Sequence, residues 1–425
     1  MKTTVIATGD SFITKALSDY DGFAALRDVI CGHDFRFNNL EITVHEKEGY
    51  PAAFSGGTWA MTEPERLDDL NRYGFNLYNT ANNHSLDYSH GGLLATCRAL
   101  SERGSAYAGT GENMREASKP VYVRVGDTTA ALIGICSTFH DSDRAGNATA
   151  EIQGRPGLNT LRFEEIYHVT AEEFERLQDI AAKTDINSYE DFKIKNGYSR
   201  PLPEGVLNFG GHRFVRDEKT FKETVPHAAD LTRLTDSIRE AGEQADLVLV
   251  SIHSHELVEA DPVKPAEFYK TAAKACIDAG AHAVLGHGPH ELRGIELYKG
   301  RPIFYSLGNF IFQTQTVSLQ PADAYENGGF PAGTTVKAYM DARSAGGTKG
   351  YIVQPSIWYS CMAGMTLEDG RVTEITLYPI RVGLDPKTKE VNFPTLTEEP
   401  EVLAHLQKLC ESFGTRLRGN QVCLD

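Results

Sequence analysis

The chain has 425 residues, 41% hydrophobic and 24% charged, which suits a globular protein of one large domain or two. A net charge of −16 argues against a nucleic-acid partner and leaves any acidic substrate dependent on a local basic patch or a metal. No apolar run reaches the length of a membrane span, the N-terminus lacks a signal-peptide core, and the seven scattered cysteines include no C-x-x-C pair, so a reduced, cytoplasmic protein is expected.

Residues 4–7 read as a buried opening strand that runs into Thr8-Gly9-Asp10. A carboxylate there stands where α/β active sites form, although Asp also caps helices. In residues 37–44, alternation puts Leu40, Ile42 and Val44 on one face and Glu41 on the other, which alone suggests an exposed strand residue. Residues 64–73 form a helix that Gly74 stops. The strand over 75–81 ends in Asn82-Asn83-His84. Asn is an oxygen ligand for metals and His a proton donor; the plainer alternative is an Asn-rich turn with Asp87 capping the next helix. A helix over 91–103 and a strand pair, 120–125 and 129–135, follow.

From about residue 138 to 226 the pattern changes to an expected insertion. A capping box of Thr170 and Glu173 opens one helix there, and residues 187–213 have little periodicity. The insertion carries Lys193, Lys195, Arg200, Arg213 and Arg216, of which Arg213 and Arg216 are candidate contacts for acidic substrate groups; solvated charges are the plainer reading. An amphipathic helix over 230–243 precedes a strongly apolar strand, 245–252, which ends in His253-Ser254-His255-Glu256. A helix over 265–280 leads to Ala283-Val284-Leu285-Gly286 and then to His287 and His290 on a Gly-Pro turn. Residues 302–312 read as a strand with a Gly-Asn break, 313–350 as loops, 351–382 as a hairpin turning at Asp369-Gly370, and 399–413 as a helix. The alternation argues an α/β fold, with a domain over 1–382 and a tail with a helix over 383–425.

Asp10, Glu41, Asn83, His84, His253, His287 and His290 all fall at strand ends. Carboxylates, an amide and imidazoles together suit Mn, Fe, Zn or Co better than Ca or a thiolate site. Two such ions would clamp a tetrahedral transition state and acidify a bound water. The alternative is a set of ordinary polar loop residues.

Thr8-Gly9-Asp10, Asn39-Leu40-Glu41, Ala81-Asn82-Asn83-His84 with Asp87, Val250-Ser251-Ile252-His253, Gly286-His287-Gly288-Pro289-His290 and Tyr305-Ser306-Leu307-Gly308-Asn309-Phe310 occur in that order. They resemble the motifs of the CapA-type poly-γ-glutamate capsule-biosynthesis family, which is related to the calcineurin-like metallophosphoesterases. The resemblance covers about residues 3–312 and the later hairpin. It implies a four-layer α/β/β/α metallophosphoesterase-like sandwich with metals at the strand ends. By motif, Asp10 would hold one metal and Glu41 would bridge; Asn83, His253 and His287 would hold the second, and His290 would return to the first. His84 would be the unliganded acid. His255 stands where the family often has Gly and joins His84 as a catalytic candidate, as an added ligand or a substrate contact. The phosphoesterase pattern has His two residues after the first Asp, where this chain has Phe12. The implied function is hydrolysis, with one or two Mn, Fe or Zn ions, of an amide or γ-glutamyl bond in a small or oligomeric acidic substrate through a metal-bound hydroxide. Phosphoester hydrolysis at the same site and a non-catalytic, polymer-related binding role are the alternatives.

Overall fold

The computed structural model describes residues 2–384 and 391–424; of the expected tail, residues 385–390 and 425 lie outside the described residues. The chain builds a mixed α/β fold with several sheets. The opening strand, Lys2–Phe12, is longer than its sequence suggests, so Asp10 lies within it. It runs parallel to Phe35–Leu40 on one side. On the other side its first half pairs antiparallel with Tyr359–Glu368 and its last residues pair parallel with Asn309–Phe312. Leu77–Asn79 and Ala106–Ala108 extend this ten-stranded sheet in parallel. On the far edge Tyr359–Glu368 folds back through Asp369 and Gly370 into Arg371–Arg381; φ values of 48° and 74° at the two turn residues are those the Asp-Gly signal predicts.

A six-stranded sheet has four parallel central strands, Thr128–Cys136, Leu247–His253, Ala283–His287 and Arg301–Phe304. Every residue of Leu247–His253 is buried, as expected for a parallel strand covered on both faces. Leu247 and Leu249 share an apolar cluster with Val5, Ala7, Phe35 and Phe37 of the ten-stranded sheet. The alternate residues Val248, Val250 and Ile252 pack with Leu234 and Ile238 of helix Ala228–Gly242 and Phe268 and Ile277 of helix Glu267–Ala279. Each aliphatic side chain so buried stabilises the fold by about 1.5–3 kcal/mol. A further cluster joins Ile6, Phe310 and Phe312 to Leu26 and Ile30 of helix Phe23–Cys31 and Leu67 and Leu70 of helix Glu65–Asn71.

Three segments depart from the sequence reading. Residues 302–312 are not one strand: Arg301–Phe304 lies in the six-stranded sheet and Asn309–Phe312 crosses to the ten-stranded one. Gly308, at φ 73°, makes the crossing, and a Cβ on Gly9 would lie 1.8 Å from its carbonyl oxygen, so the approach needs glycine. Residues 313–350 contain helices Ala322–Asn327 and Val336–Arg343. Their Ala324 and Tyr339 pack on Trp59 and Tyr88, a contact that no local periodicity announces. Residues 187–213 hold helix Ser188–Lys195 and strand Val206–Phe209; His212–Arg216 follows, and the strands join Phe163–Val169 and Phe221–Pro226 in a separate four-stranded sheet. No residue of Ser188–Lys195 is buried, which explains its missing apolar period. Among the described residues, no helix is long and apolar enough to cross a membrane.

Buried Asp230 ties this segment to the scaffold. Arg162 donates to both of its oxygens at 2.8 Å, and Arg233 donates at 2.8 Å. Burial alone would raise the carboxyl, but these hydrogen bonds outweigh it and hold the pKa well below the carboxylate range. The stabilisation is therefore full above the unfolded-state value near pH ~4 and is lost as pH falls through the lower folded value. Asp230→Asn should cost about 3 kcal/mol in urea denaturation at neutral pH, with the difference shrinking in strong acid. A loss below about 1 kcal/mol would contradict this assignment.

Candidate metal centre

Five chain segments converge on the site. Asp10 comes from the opening strand, Glu41 follows Phe35–Leu40, and Asn83 and His84 follow Leu77–Asn79. His253 and His287 end adjacent parallel strands and pair in register. Parallel strands bring their carboxyl ends to one edge, where the polar residues collect. Gly288 shapes the turn that follows: at φ 124° its N–H donates to Asp10 Oδ2 at 3.1 Å, and a Cβ there would lie 3.0 Å from the Ser254 backbone. His290 then adopts φ 62°, uncommon for a residue with a side chain.

Two groups of donor atoms result. Asp10, His253 and His287 form one, and Glu41, His255 and His290 the other; within each, the donor atoms lie within 4.8 Å of one another and can hold a metal ion. In the first group, the Nδ1 atoms of His253 and His287 are 2.8 Å apart, and Asp10 Oδ1 is 3.5 Å from the His287 atom and 4.0 Å from the His253 atom. Such spacings suit atoms that share one ion at about 2.0–2.2 Å. The groups adjoin. His253 Nε2 is 3.6 Å from Glu41 Oε1, and His290 Nδ1 is 3.7 Å from Asp10 Oδ2 and 3.9 Å from Glu41 Oε2. His290 Nδ1 is thus about as near to Asp10 as to Glu41, and its ring stands between the two groups.

The electrostatics follow from burial. Asp10 and Glu41 have no exposed surface. Burial pushes Asp10 up to about 7, despite hydrogen bonds from Asn39 Nδ2 and the Gly288 N–H. Glu41 rises well above the carboxylate range, through burial first and then the charges of Asp10 and Asp87. Burial pushes His287 and His290 down to about 3, and it lowers His253 and His255 strongly, with neighbouring imidazoles adding to the effect. Neutral imidazoles are the ligand form, and a cation would favour both carboxylates as anions. Both oxygens of Glu41, Asn83 Oδ1, His253 Nε2 and His255 Nε2 are buried without a hydrogen-bond partner. The unpartnered lone pairs of Glu41 and of His255 Nε2 are costly alone, and a divalent ion satisfies them, so the residues present fit such a group. His290 Nδ1 lies 2.9 Å from Asn309 Oδ1, while the Asn309 amide nitrogen donates to the His290 and Ile357 carbonyls. The proton therefore sits on Nδ1, and Nε2 keeps its lone pair.

Beside this centre, His84 Nδ1 is 2.7 Å from Asp87 Oδ2, and Asp87 also accepts from the Ala60 and Gly56 N–H groups. The sequence treats Asp87 mainly as a cap, whereas its carboxylate orients this imidazole. Asn83 Nδ2 donates to the Gly56 carbonyl, and its Oδ1 is buried without a hydrogen-bond partner among the described residues. His84, His255 and His290 line a cavity of about 750 Å³, whose wall includes Lys337, Arg343, Lys349 and Tyr351. Arg213 and Arg216 lie elsewhere, on the four-stranded sheet: Arg213 pairs with Glu164 at 3.2 Å, and Arg216 lies over the Phe174 ring at 5.1 Å. Neither lines the cavity. Asn39 and Asn309, which orient Asp10 and His290, stand inside the sequence motifs without having been assigned roles; Arg343 carries no local signal.

The model of the family described as bacterial capsule synthesis protein PGA_cap matches residues 4–314. Two Sinorhizobium fredii proteins, described as uncharacterized proteins y4uA and y4sH, are each 31% identical over 432 residues, covering 97% of this chain and 90% of theirs. Capsule biosynthesis protein CapA of Bacillus anthracis is 28% identical over 315 residues, 73% of this chain and 56% of CapA.

Metal uptake should depend on pH through the buried carboxylates. Below about 7 Asp10 holds a proton that a cation must displace, whereas His287 and His290, lowered to about 3, need not lose one. Glu41, raised in the same direction, adds to this, so Zn²⁺ affinity, measured by competition with a chelating dye, should weaken steadily as pH falls below neutrality. A flat profile would contradict the proton displacement.

Proposed function

We propose, from the premise that the chain belongs to the bacterial capsule synthesis protein PGA_cap family, that it is a metal-dependent hydrolase. One observation carries the proposal: Glu41 is buried with both oxygens unpartnered among the described residues, beside His290, which lines the same cavity as His84. A divalent ion bound there would supply Lewis acidity and make the attacking water more acidic. The chain's own residues do the rest. Asp10, Glu41, Asn83, His253, His255, His287 and His290 supply the donors. His84, held by Asp87 through Nδ1, lines the cavity, and its imidazolium form gives the proton of the other ring nitrogen to the leaving group.

The preferred substrate bond is an amide or γ-glutamyl bond in an acidic substrate. The capsule role printed in the names of the family and of CapA supports this reading. So do Arg343 and Lys349 on the cavity wall, which offset the chain's −16 charge locally. We assign substrate carboxylate contact to them in place of Arg213 and Arg216, whose charges are engaged elsewhere. Phosphoester hydrolysis is the second reading, favoured by the two adjoining donor groups, which suit a tetrahedral transition state. We read the sheets, which share one apolar cluster and carry helices on their outer faces, as the four-layer α/β/β/α sandwich of metallophosphoesterases, with residues 1–382 as one domain and 138–226 inserted.

Metal-replete protein should release γ-glutamyl units from a short γ-glutamate oligomer faster than it cleaves bis(p-nitrophenyl) phosphate. The reverse order moves the assignment to the phosphoesterase, and turnover of neither substrate class sinks the hydrolase. His84→Ala should lower kcat about 10²–10⁴-fold at unchanged metal content. Asn83→Ala and His287→Ala should instead lower the metal content, and equal content in all three would contradict these roles.

A further inference from the structure

We propose that His255 makes the second donor group, Glu41, His255 and His290, a site for an ion of its own, and that Arg293 is the positioning residue that holds His255 in place. This rests on the metal-dependent reading above and concerns how many ions the chain can hold.

Strand alternation puts residue 12 on the same side as Asp10. Phe12 offers no donor there; its ring is edge-on to His84 at 5.2 Å and to Phe312 at 6.3 Å. Without His255 the second group keeps only Glu41 and His290, fewer than the three protein ligands that catalytic ions usually have. His255 Nε2 is buried without a partner. Its ring lies 5.4 Å from that of His290 at an interplanar angle of 76°, and 5.1 Å from that of His253. It therefore stands between the two ligand loops with a nitrogen that nothing else among the described residues uses.

Arg293 explains how that ring is held. Its residue is fully buried, three positions beyond His290, and among the described residues it makes no ion pair. Its Nη1 donates to the Ser254 carbonyl at 3.2 Å and its Nη2 to the Glu256 carbonyl at 3.0 Å, the two carbonyls that flank His255. Its Nε donates to the Pro262 carbonyl at 2.8 Å. The loop that carries His287 and His290 thus sends a guanidinium back onto the loop that carries His253 and His255. A planar fork of donors can bridge three carbonyls, which a point-like ammonium cannot do in the same geometry. From the other side the His255 N–H donates to Thr138 Oγ1 at 2.8 Å, and the Thr138 and Ser254 hydroxyls donate to the Glu256 carboxylate at 3.0 and 2.9 Å. A buried cation satisfied by carbonyls alone is a costly way to pack a loop, but a direct way to fix one imidazole.

The test is equilibrium dialysis of the metal-free full chain against Zn²⁺, with bound ions per chain read by elemental analysis, and a parallel titration with Co²⁺ read by its visible spectrum. The wild type should bind two ions and His255→Ala one. Arg293→Lys should bind two, with the weaker affinity reduced about 10–100-fold and the stronger one unchanged. Thr138→Val should shift the same affinity in the same direction, which keeps the positioning role testable if Arg293→Lys fails to fold. Circular dichroism checks that each variant is folded. His255→Ala that still binds two ions, or Arg293→Lys or Thr138→Val that weakens both ions equally, overturns the inference. A wild-type count of one overturns it while leaving the metal-dependent reading intact, and a count of zero removes that reading itself.

Discussion

The constraint on which the site depends is the burial of two carboxylates side by side. Asp10 and Glu41 have no exposed surface, and removing an ionised carboxylate from water costs several kcal/mol unless it is paired. The protein answers unequally. Asp10 receives two hydrogen bonds, from Asn39 and the Gly288 N–H, and among the described residues Glu41 receives none. The polypeptide alone therefore leaves Glu41 uncompensated, surrounded by imidazoles that burial keeps neutral. That arrangement is sensible for holding cations and wasteful for packing. It also requires a rigid frame, because buried lone pairs turned towards one another separate as soon as the strands can move.

The frame was legible in the sequence to the extent that it is made of periodic apolar runs. Leu247–His253 and Ala283–His287 announce themselves as apolar segments that stop at imidazoles, and the hairpin announces itself through Asp369-Gly370. The reading around Glu41 shows where periodicity falls short. Leu40, Ile42 and Val44 do share one apolar cluster, as alternation implies. Glu41, on the opposite side, faces the strand ends of the second sheet and not solvent. Alternation gives the two faces of a strand and does not say what covers the second. Arg293 was invisible for a related reason. An isolated arginine in sequence looks like a surface charge, and only the fold brings the Ser254, Glu256 and Pro262 carbonyls around it. The helices of residues 322–343 were missed because Trp59 and Tyr88, far earlier in the chain, anchor them.

The second of those helices, Val336–Arg343, lines the cavity with Lys337, Asp341 and Arg343. A chain of net charge −16 repels acidic ligands at long range, and salt screens that repulsion beyond roughly 8–10 Å. Inside the cavity the local balance governs. Lys337 is largely engaged by Asp341 at 2.6 Å, so Arg343 and Lys349 supply most of the positive charge on that wall.

Arg343 is also fastened to the part of the chain that mounts the chemistry. It donates to Thr58 Oγ1 and to the Gly57 carbonyl. The adjoining Gly56 accepts from Asn83 Nδ2 and donates to Asp87, the residue that orients His84. A Cβ on Gly56 would lie 2.7 Å from the Asn83 carbonyl oxygen, so this close approach tolerates no side chain. Three residues, Gly56 to Thr58, therefore register the cationic wall, one metal-ligand candidate and the proposed proton donor against a single short backbone segment. On the proposed reading, a substrate whose acidic group engages Arg343 would be positioned relative to His84 through that segment. Displacement of a few tenths of an ångström there would act on substrate registry and proton transfer together, because proximity effects depend steeply on geometry.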